Sequence, residues 1–435
     1  MLNIIETLNT SILPSDITDS IITKNQQYLN QNINITAQKL WIQLYSGMDS
    51  SIEALISLIF QGRILFPFAN LYVENSKILF DNIKKYRPVI SNSNYKLQYK
   101  SWHGLFLPPL YKGIPIKIIS GLENYKKIDV FTDLYTEDIR IQGKKIYATP
   151  FISSAECWTR KECLKNILIK LLKTPELSNI GYEDLREAIY LTSPEPGLFK
   201  ITNIKGILET VLNVKLGESI PLTDDGKRLR WLDFSAGWGD RLAGSLAFRL
   251  DYVGFDPNKK LYNGHNRMIT EFGNIDNYKI YYQPFESVNL KYITSTDGLF
   301  DICFTSPPYF NLEIYTDDDN QSINAYPTFM DWMIKFLFAS LKKAWNGLKM
   351  GGYLILYIDD VKDGPIIEPM NLYIEQYLQN SSWVGIIGLE GSAKKVRPVF
   401  VWQKSETVNK WNNPNNTKIP EDRSLLKLFP QYANT

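Results

Sequence analysis

The segment "WLDFSAGWGDRLAG", residues 231–244, is an apolar run that breaks at an acid and passes through two glycines into helix-forming residues. The run ends at Asp233. Ser235, Ala236, Gly237, Trp238 and Gly239 follow, and a helix is expected from about Asp240. Glycine at two of these positions lets the main chain turn sharply and meet a ligand with no Cβ in between. A strand that feeds such a turn into a helix predicts a doubly wound sheet with its ligand at the carboxyl ends of the strands.

Working outward, the stretches "RWLDF", "YVGF", "KIYYQ", "LFDICFTS", "YLILYI", "WVGIIGL" and "PVFVWQK" read as seven strands separated by helical stretches such as 329–345. The fold class expected for 191–405 is therefore α/β: Rossmann-like, doubly wound and mostly parallel, with its last two strands antiparallel. Residues 1–190 mix helical patterns with short strand-like pieces such as "IPIKIIS" at 114–120 and are expected to form a separate α+β domain. The polar residues 406–435 are expected to be a tail.

The second strand ends in Asp256, where a carboxylate can accept hydrogen bonds from both hydroxyls of a ribose. The third leads to "QPFES", which puts Phe285 and Glu286 where an adenine would be flanked and read. Gly237, Gly239 and Ala243 also fit a loose dinucleotide fingerprint. Asp233 at the loop entrance opposes a pyrophosphate, however, and suits the cationic, phosphate-free end of S-adenosylmethionine. A turn that binds nothing is the plain alternative.

The stretch "TSPPY", residues 305–309, ends another strand at the same sheet edge. Proline donates no ladder hydrogen bond and restricts the residue before it, so Pro307 and Pro308 form a stiff, extended corner that aims Tyr309. Such a corner suits a planar ring bearing an amino group. The Ser306 hydroxyl and the Pro307 carbonyl can accept the two amine hydrogens, and Tyr309 can stack on the ring for about 1–3 kcal/mol.

With both segments in hand, the chain resembles the amino-group methyltransferases of the DNA N4-cytosine and N6-adenine class. The resemblance covers about 195–403 and implies S-adenosylmethionine as cofactor. It implies Asp233, Ser235, Ala236, Gly237 and Gly239 around the methionine part, Asp256 at the ribose, and Ser306, Pro307, Pro308 and Tyr309 as the catalytic tetrapeptide. It further implies Phe199 and Thr202 in "GLFKITNIKGIL", 197–208, as a cofactor segment. Serine in the tetrapeptide, with Thr305 before it, leans toward cytosine. Methylation at cytosine C5 is set aside because it needs a thiol nucleophile and no Pro-Cys occurs; Cys303 reads as core.

Composition narrows the rest. Three cysteines and two histidines in 435 residues support neither a disulfide framework nor a metal site, and none is expected. No apolar run approaches a membrane span, so an intracellular, soluble protein is expected, and the Asn, Ile, Lys and Tyr usage points to an AT-rich bacterial, phage or viral genome. A formal net charge of +2 leaves nucleic-acid attraction to local patches. Residues 81–130 hold nine basic residues against three acidic ones, interleaved with aromatics, and Lys96, Lys100, Trp102 and Lys112 are the candidate contacts. The alternative there is a solvated basic face.

The expected partner is nucleic acid, DNA ahead of RNA. Rival readings are an RNA or cap-adenosine methyltransferase, an inactive nucleic-acid-binding module and a nicotinamide enzyme. The acidic segment 310–322 reads equally as a lid or a surface connection, and Asp359 and Asp360 read as turn residues.

Overall fold

The computed structural model describes residues 52, 56–57, 59–62, 64–71, 73, 75–92, 99–100, 106–107, 110–112, 114–119, 128–149, 151–173, 182–217, 219–390 and 396–411. The chain divides into two units, one of Met1–Glu74 with Glu137–Pro196 and one of Asn75–Thr136 with Gly197–Thr435. This corrects the expected single cut at 190. Residues 75–136 fold with the sheet because their strands complete its edge.

In the second unit the strands in chain order are β1 (Val89–Asn92), β2 (Leu110–Tyr111), β3 (Ile114–Ile119), β4 (Arg230–Asp233) and β5 (Asp251–Phe255). They continue with β6 (Tyr278–Tyr281), β7 (Phe300–Thr305), β8 (Leu348–Tyr357), β9 (Ser381–Glu390) and β10 (Val396–Lys404). All ten form one sheet in the order β1-β3-β2-β9-β10-β8-β7-β4-β5-β6. The run β8-β7-β4-β5-β6 is parallel throughout, and β10 is antiparallel to both β8 and β9. This is the doubly wound, mostly parallel seven-stranded sheet of the class I methyltransferase fold, extended past β9 by three strands from the amino-terminal half.

The strands are apolar on both faces, as a sheet covered on both sides requires. On one face Leu232, Val253, Cys303, Leu354 and Leu356 join Trp332, Leu341 and Trp345 in the main core. On the other, Trp231 and Phe304 stack with ring centroids 5.4 Å apart, and the helices Ile201–Leu212 and Asp240–Phe248 cross closely where Gly244 meets Ile204. Cys303 is fully buried there, as its core reading requires.

Past β10 the chain to Trp411 is held rather than loose. Asn409 exchanges hydrogen bonds with Ser382 and Trp383, and the buried Trp411 donates its backbone N–H to Glu375. The remainder of the expected tail lies outside the described residues.

The first unit has its own core, in which Ile141, Ile152, Leu164, Ile167, Leu185 and Ile189 pack together. Within it, buried Glu137 accepts hydrogen bonds from the Ala69 N–H at 2.7 Å, the Tyr190 hydroxyl at 2.6 Å and the Arg186 guanidinium. No helix among the described residues is long and apolar enough to cross a membrane, and no group of potential metal ligands occurs among them.

Candidate active site

The site is built at the carboxyl ends of β4, β5, β6, β7 and β8. At the end of β4, Asp233 is fully buried. Its carboxylate accepts from Arg241 Nε at 2.7 Å, from the Tyr252 hydroxyl at 2.7 Å and from the Ser235 N–H at 3.2 Å. A buried carboxylate has to be paired and hydrogen-bonded, and here the helix after the loop supplies the cation. The acid thus ties the strand to the helix, a role its place in the sequence did not show. Its neutralisation by Arg241 also removes the charge argument against a pyrophosphate.

The loop itself needs its glycines. Gly237 has φ +58° and Gly239 φ +100°, a region side chains disfavour. They differ in surroundings. A Cβ on Gly239 would stand 3.1 Å from the His265 ring, whereas one on Gly237 would meet nothing nearer than 3.8 Å. Gly239 is packed against the His265 ring, whereas a Cβ on Gly237 would make only ordinary contacts, with the Ser235 carbonyl and Arg241. His265 is fully buried, its Nδ1 is 3.0 Å from the Tyr282 hydroxyl, and burial pushes its pKa down to about 4, which keeps the ring neutral.

Asp240, the first residue of the helix, accepts from the Thr132 hydroxyl at 2.8 Å and the Phe199 N–H at 3.2 Å, and burial raises its pKa to about 7. Neither Asp240 nor His265 stood out in the sequence as a site residue, because both act on groups distant in the chain. A second such contact joins the Thr136 hydroxyl to the Trp238 carbonyl at 2.8 Å.

At the end of β5, half-buried Asp256 accepts from the Gly237 N–H and the Asn258 N–H, each at 2.9 Å. Burial raises its pKa to about 6. Each oxygen keeps a further lone pair for a ribose hydroxyl. The Phe285 expectation is corrected. That ring is buried, stacked on Phe234 at 5.5 Å and set against Phe255, because the three-residue turn after Pro284 directs it into the core. Glu286 is half-buried, with its carbonyl and that of Phe285 accepting from Lys343. Tyr282 and the exposed Gln283 are instead the side chains at the β6 tip.

Of the two residues in the preceding segment, only Phe199 reaches the strand ends. Its ring stands edge-on to Phe304 at 5.6 Å and to Tyr357 at 4.9 Å. Thr202 is corrected: buried, it gives its N–H and hydroxyl to Asp129, which caps a helix whose own N-cap residue, Lys200, makes no side-chain cap.

The tetrapeptide follows β7 directly. Ser306, Pro308 and Tyr309 are half-buried, and Pro307 is buried. The Tyr309 hydroxyl donates to the Tyr357 carbonyl at 3.3 Å, which ties the corner to the neighbouring strand end, and the two rings lie 6.3 Å apart. Next in the chain, Phe310 takes φ +49°, an uncommon conformation for an aromatic residue, held by packing on Phe329 and Trp332.

The acidic segment after the corner is well tied. Gln321 Oε1 accepts from the N–H groups of Tyr315 at 3.0 Å and Thr316 at 2.7 Å, and the Tyr315 ring meets Trp238 of the glycine loop at 5.8 Å. Glu313 accepts from the Gly197 N–H and the Tyr315 hydroxyl. Asp360 accepts from the N–H groups of Ile366 and Ile367 and so caps the next helix, in line with its reading as a turn residue.

Of the candidate nucleic-acid contacts, Lys96 and Trp102 lie outside the described residues. Lys100 belongs to a small ladder with Phe106. Lys112 is exposed beside β2, and its N–H donates to the Val384 carbonyl on β9. The described part of the basic stretch therefore belongs to the unit that carries the sheet.

No family model matches the chain, and no curated protein does. Among solved structures, similar ones include an rRNA methylase from Streptococcus thermophilus, with 12% identity over 41% of this chain and 87% of that one and a TM-score of 0.27. TrmN from Thermus thermophilus shares 12% identity over 47% of this chain and 49% of its own, about half its length, with a TM-score of 0.30. A human methyltransferase 10 domain containing protein shares 13% identity over 48% and 84%, with a TM-score of 0.32. At these values the likenesses assign neither substrate nor reaction to this chain.

Proposed function

We propose that the protein transfers a methyl group from S-adenosylmethionine to the exocyclic amino group of a base in DNA, cytosine N4 ahead of adenine N6. The observation that carries this is the Ser306–Tyr309 corner at the end of β7, directly beside the glycine turn at the end of β4.

The residues present fit the cofactor. The turn at Gly237 and Gly239, both at positive φ, lets the main chain approach a ligand, Asp256 has lone pairs left for ribose hydroxyls, and Tyr282 and Gln283 at the β6 tip are the side chains for an adenine. When bound, S-adenosylmethionine supplies an electrophilic sulfonium methyl group. The nucleophile is the amine of the base, whose lone pair is delocalised into the ring. The Ser306 hydroxyl and the Pro307 carbonyl accept its hydrogens and let the nitrogen rehybridise. With the donor bound, the amine would gain the methyl carbon as that carbon's bond to sulfur broke, and the methylated nitrogen would release one proton to solvent as the product leaves the corner. Tyr309 packs on the ring, which offsets part of the roughly few kcal/mol needed to unstack a base. The 310–321 segment, pinned by Gln321 and lying against Trp238, keeps water from the transfer.

The test is incubation with methyl-labelled S-adenosylmethionine and separate pools of duplex DNA, single-stranded DNA and RNA, followed by nucleoside mass spectrometry. N4-methylcytosine in DNA agrees with the proposal, and N6-methyladenine moves the target base. Label in RNA alone establishes an RNA enzyme. No label despite cofactor binding leaves an inactive binding module, and thermal protection by NADPH but not S-adenosylmethionine a nicotinamide enzyme.

A further inference from the structure

Beyond the tetrapeptide, the contacts continue outward through Tyr357 to a cation. Tyr357 ends β8, its carbonyl accepts from Tyr309, and its hydroxyl accepts from Arg397 Nη1 at 3.4 Å. Arg397 lies near the start of β10, which runs antiparallel to β8, so it stands at the same carboxyl edge as the corner. It is exposed and makes no ion pair within 4.0 Å among the described residues. The charged and titratable groups that face it are Asp359, Tyr309 and Tyr357. An exposed guanidinium that rests on one tyrosine hydroxyl keeps most of its planar fork of N–H donors available, and that fork matches a phosphate.

Tyr357 links the cation to the corner: its hydroxyl meets Arg397, and its ring lies 6.3 Å from that of Tyr309. In a nucleic acid a phosphate likewise lies close to each base, across one sugar. We infer that Arg397, steadied by Tyr357, is the phosphate anchor of this site and holds the nucleic-acid backbone at the nucleotide whose base enters the Tyr309 corner. The anchor rests on the proposed function for its substrate class. It adds a residue that neither the tetrapeptide nor the basic stretch at 81–130 contains.

The test compares wild type with Arg397→Gln and Arg397→Lys. Binding of fluorescein-labelled, mixed-sequence single-stranded DNA, duplex DNA and RNA is measured by anisotropy across a salt series. Methyl transfer to the same pools is measured in parallel. Removing one phosphate contact should weaken binding several-fold at low salt and reduce the slope of log affinity against log salt by about one. Arg397→Lys should keep the slope. With Arg397→Gln, KM for nucleic acid should rise while kcat and the affinity for S-adenosylmethionine stay within about twofold, an outcome a merely structural residue would not give.

Equal slopes for wild type and Arg397→Gln, or a fall in kcat with unchanged KM, would overturn the anchor. The two readings separate cleanly. A flattened slope without methyl transfer to any pool removes the reaction and keeps the anchor, whereas transfer with equal slopes removes the anchor and keeps the reaction. A wild-type protein that binds none of the three pools removes the anchor.

Discussion

Each unit of the molecule contains the same buried device. In the first, Glu137 is paired with Arg186 and hydrogen-bonded by Tyr190 and a backbone N–H; in the second, Asp233 is paired with Arg241 and hydrogen-bonded by Tyr252 and a backbone N–H. One carboxylate sits on a helix of a packed helical core, and the other ends the strand that feeds the glycine loop. The shared chemistry teaches that an acid at a strand end need not be a ligand group. Asp233 is treated by the fold as Glu137 is, as one member of a buried, hydrogen-bonded ion pair. What differs is what each network supports: the second holds the start of a loop that turns through two glycines at positive φ.

The largest effect should come from opening either network. Asp233→Asn and Glu137→Gln each remove one charge from a buried ion pair, and each should lower unfolding stability by about 3–5 kcal/mol in denaturant titrations. If Asp233→Asn instead keeps full stability and loses only S-adenosylmethionine affinity, the parallel breaks and Asp233 returns to the ligand site.

A second test concerns the neutral histidine beneath the loop. His265 has a folded pKa of about 4 against an ordinary 6.5, so the unfolded chain binds more protons between those values. Its contribution is present above about pH 6.5 and is lost as pH falls toward 4, by up to about 3 kcal/mol. The stability difference between wild type and His265→Gln should therefore grow by that amount from pH 4 to pH 6.5. A difference that is flat with pH would mean that His265 is not held neutral. The raised carboxyls of Asp240 and Asp256 act in the opposite direction, losing stability as pH rises from about 4 toward 7 and 6 respectively, so the variant comparison is needed to isolate the histidine.

Tyr309→Ala sharpens the contrast between loop and corner. It should cost about 1–3 kcal/mol in kcat/KM for nucleic acid through the lost ring contact, with S-adenosylmethionine affinity by calorimetry unchanged. A large rise in the cofactor dissociation constant would remove Tyr309 from the substrate side. The smallest effects should come from Tyr252→Phe and Tyr190→Phe, each deleting one hydroxyl from its network for about 1 kcal/mol. Unequal losses, measured by thermal or denaturant unfolding, would show that the two networks are not equivalent.

The sequence by itself determined the seven strands, the glycine turn, the helix start at Asp240 and the double-proline corner. These follow from local rules: apolar runs make strands, glycine permits positive φ, and proline ends a ladder. It also marked Asp256 and Tyr309, since both sit at strand ends that pattern alone can locate.

Only the tertiary structure decided which side chains face outward at those ends. Phe285 turned into the core, Thr202 was taken by Asp129, and Asp233 was neutralised by Arg241, because burial requires each apolar ring and each buried polar group to find a partner wherever the fold provides one. Residues 75–136 joined the sheet for a related reason. The edge of β9 presents unpaired backbone groups, and strands far away in the chain satisfy them. Arg397 became visible in the same way, through an antiparallel strand that returns it to the edge where Tyr309 stands.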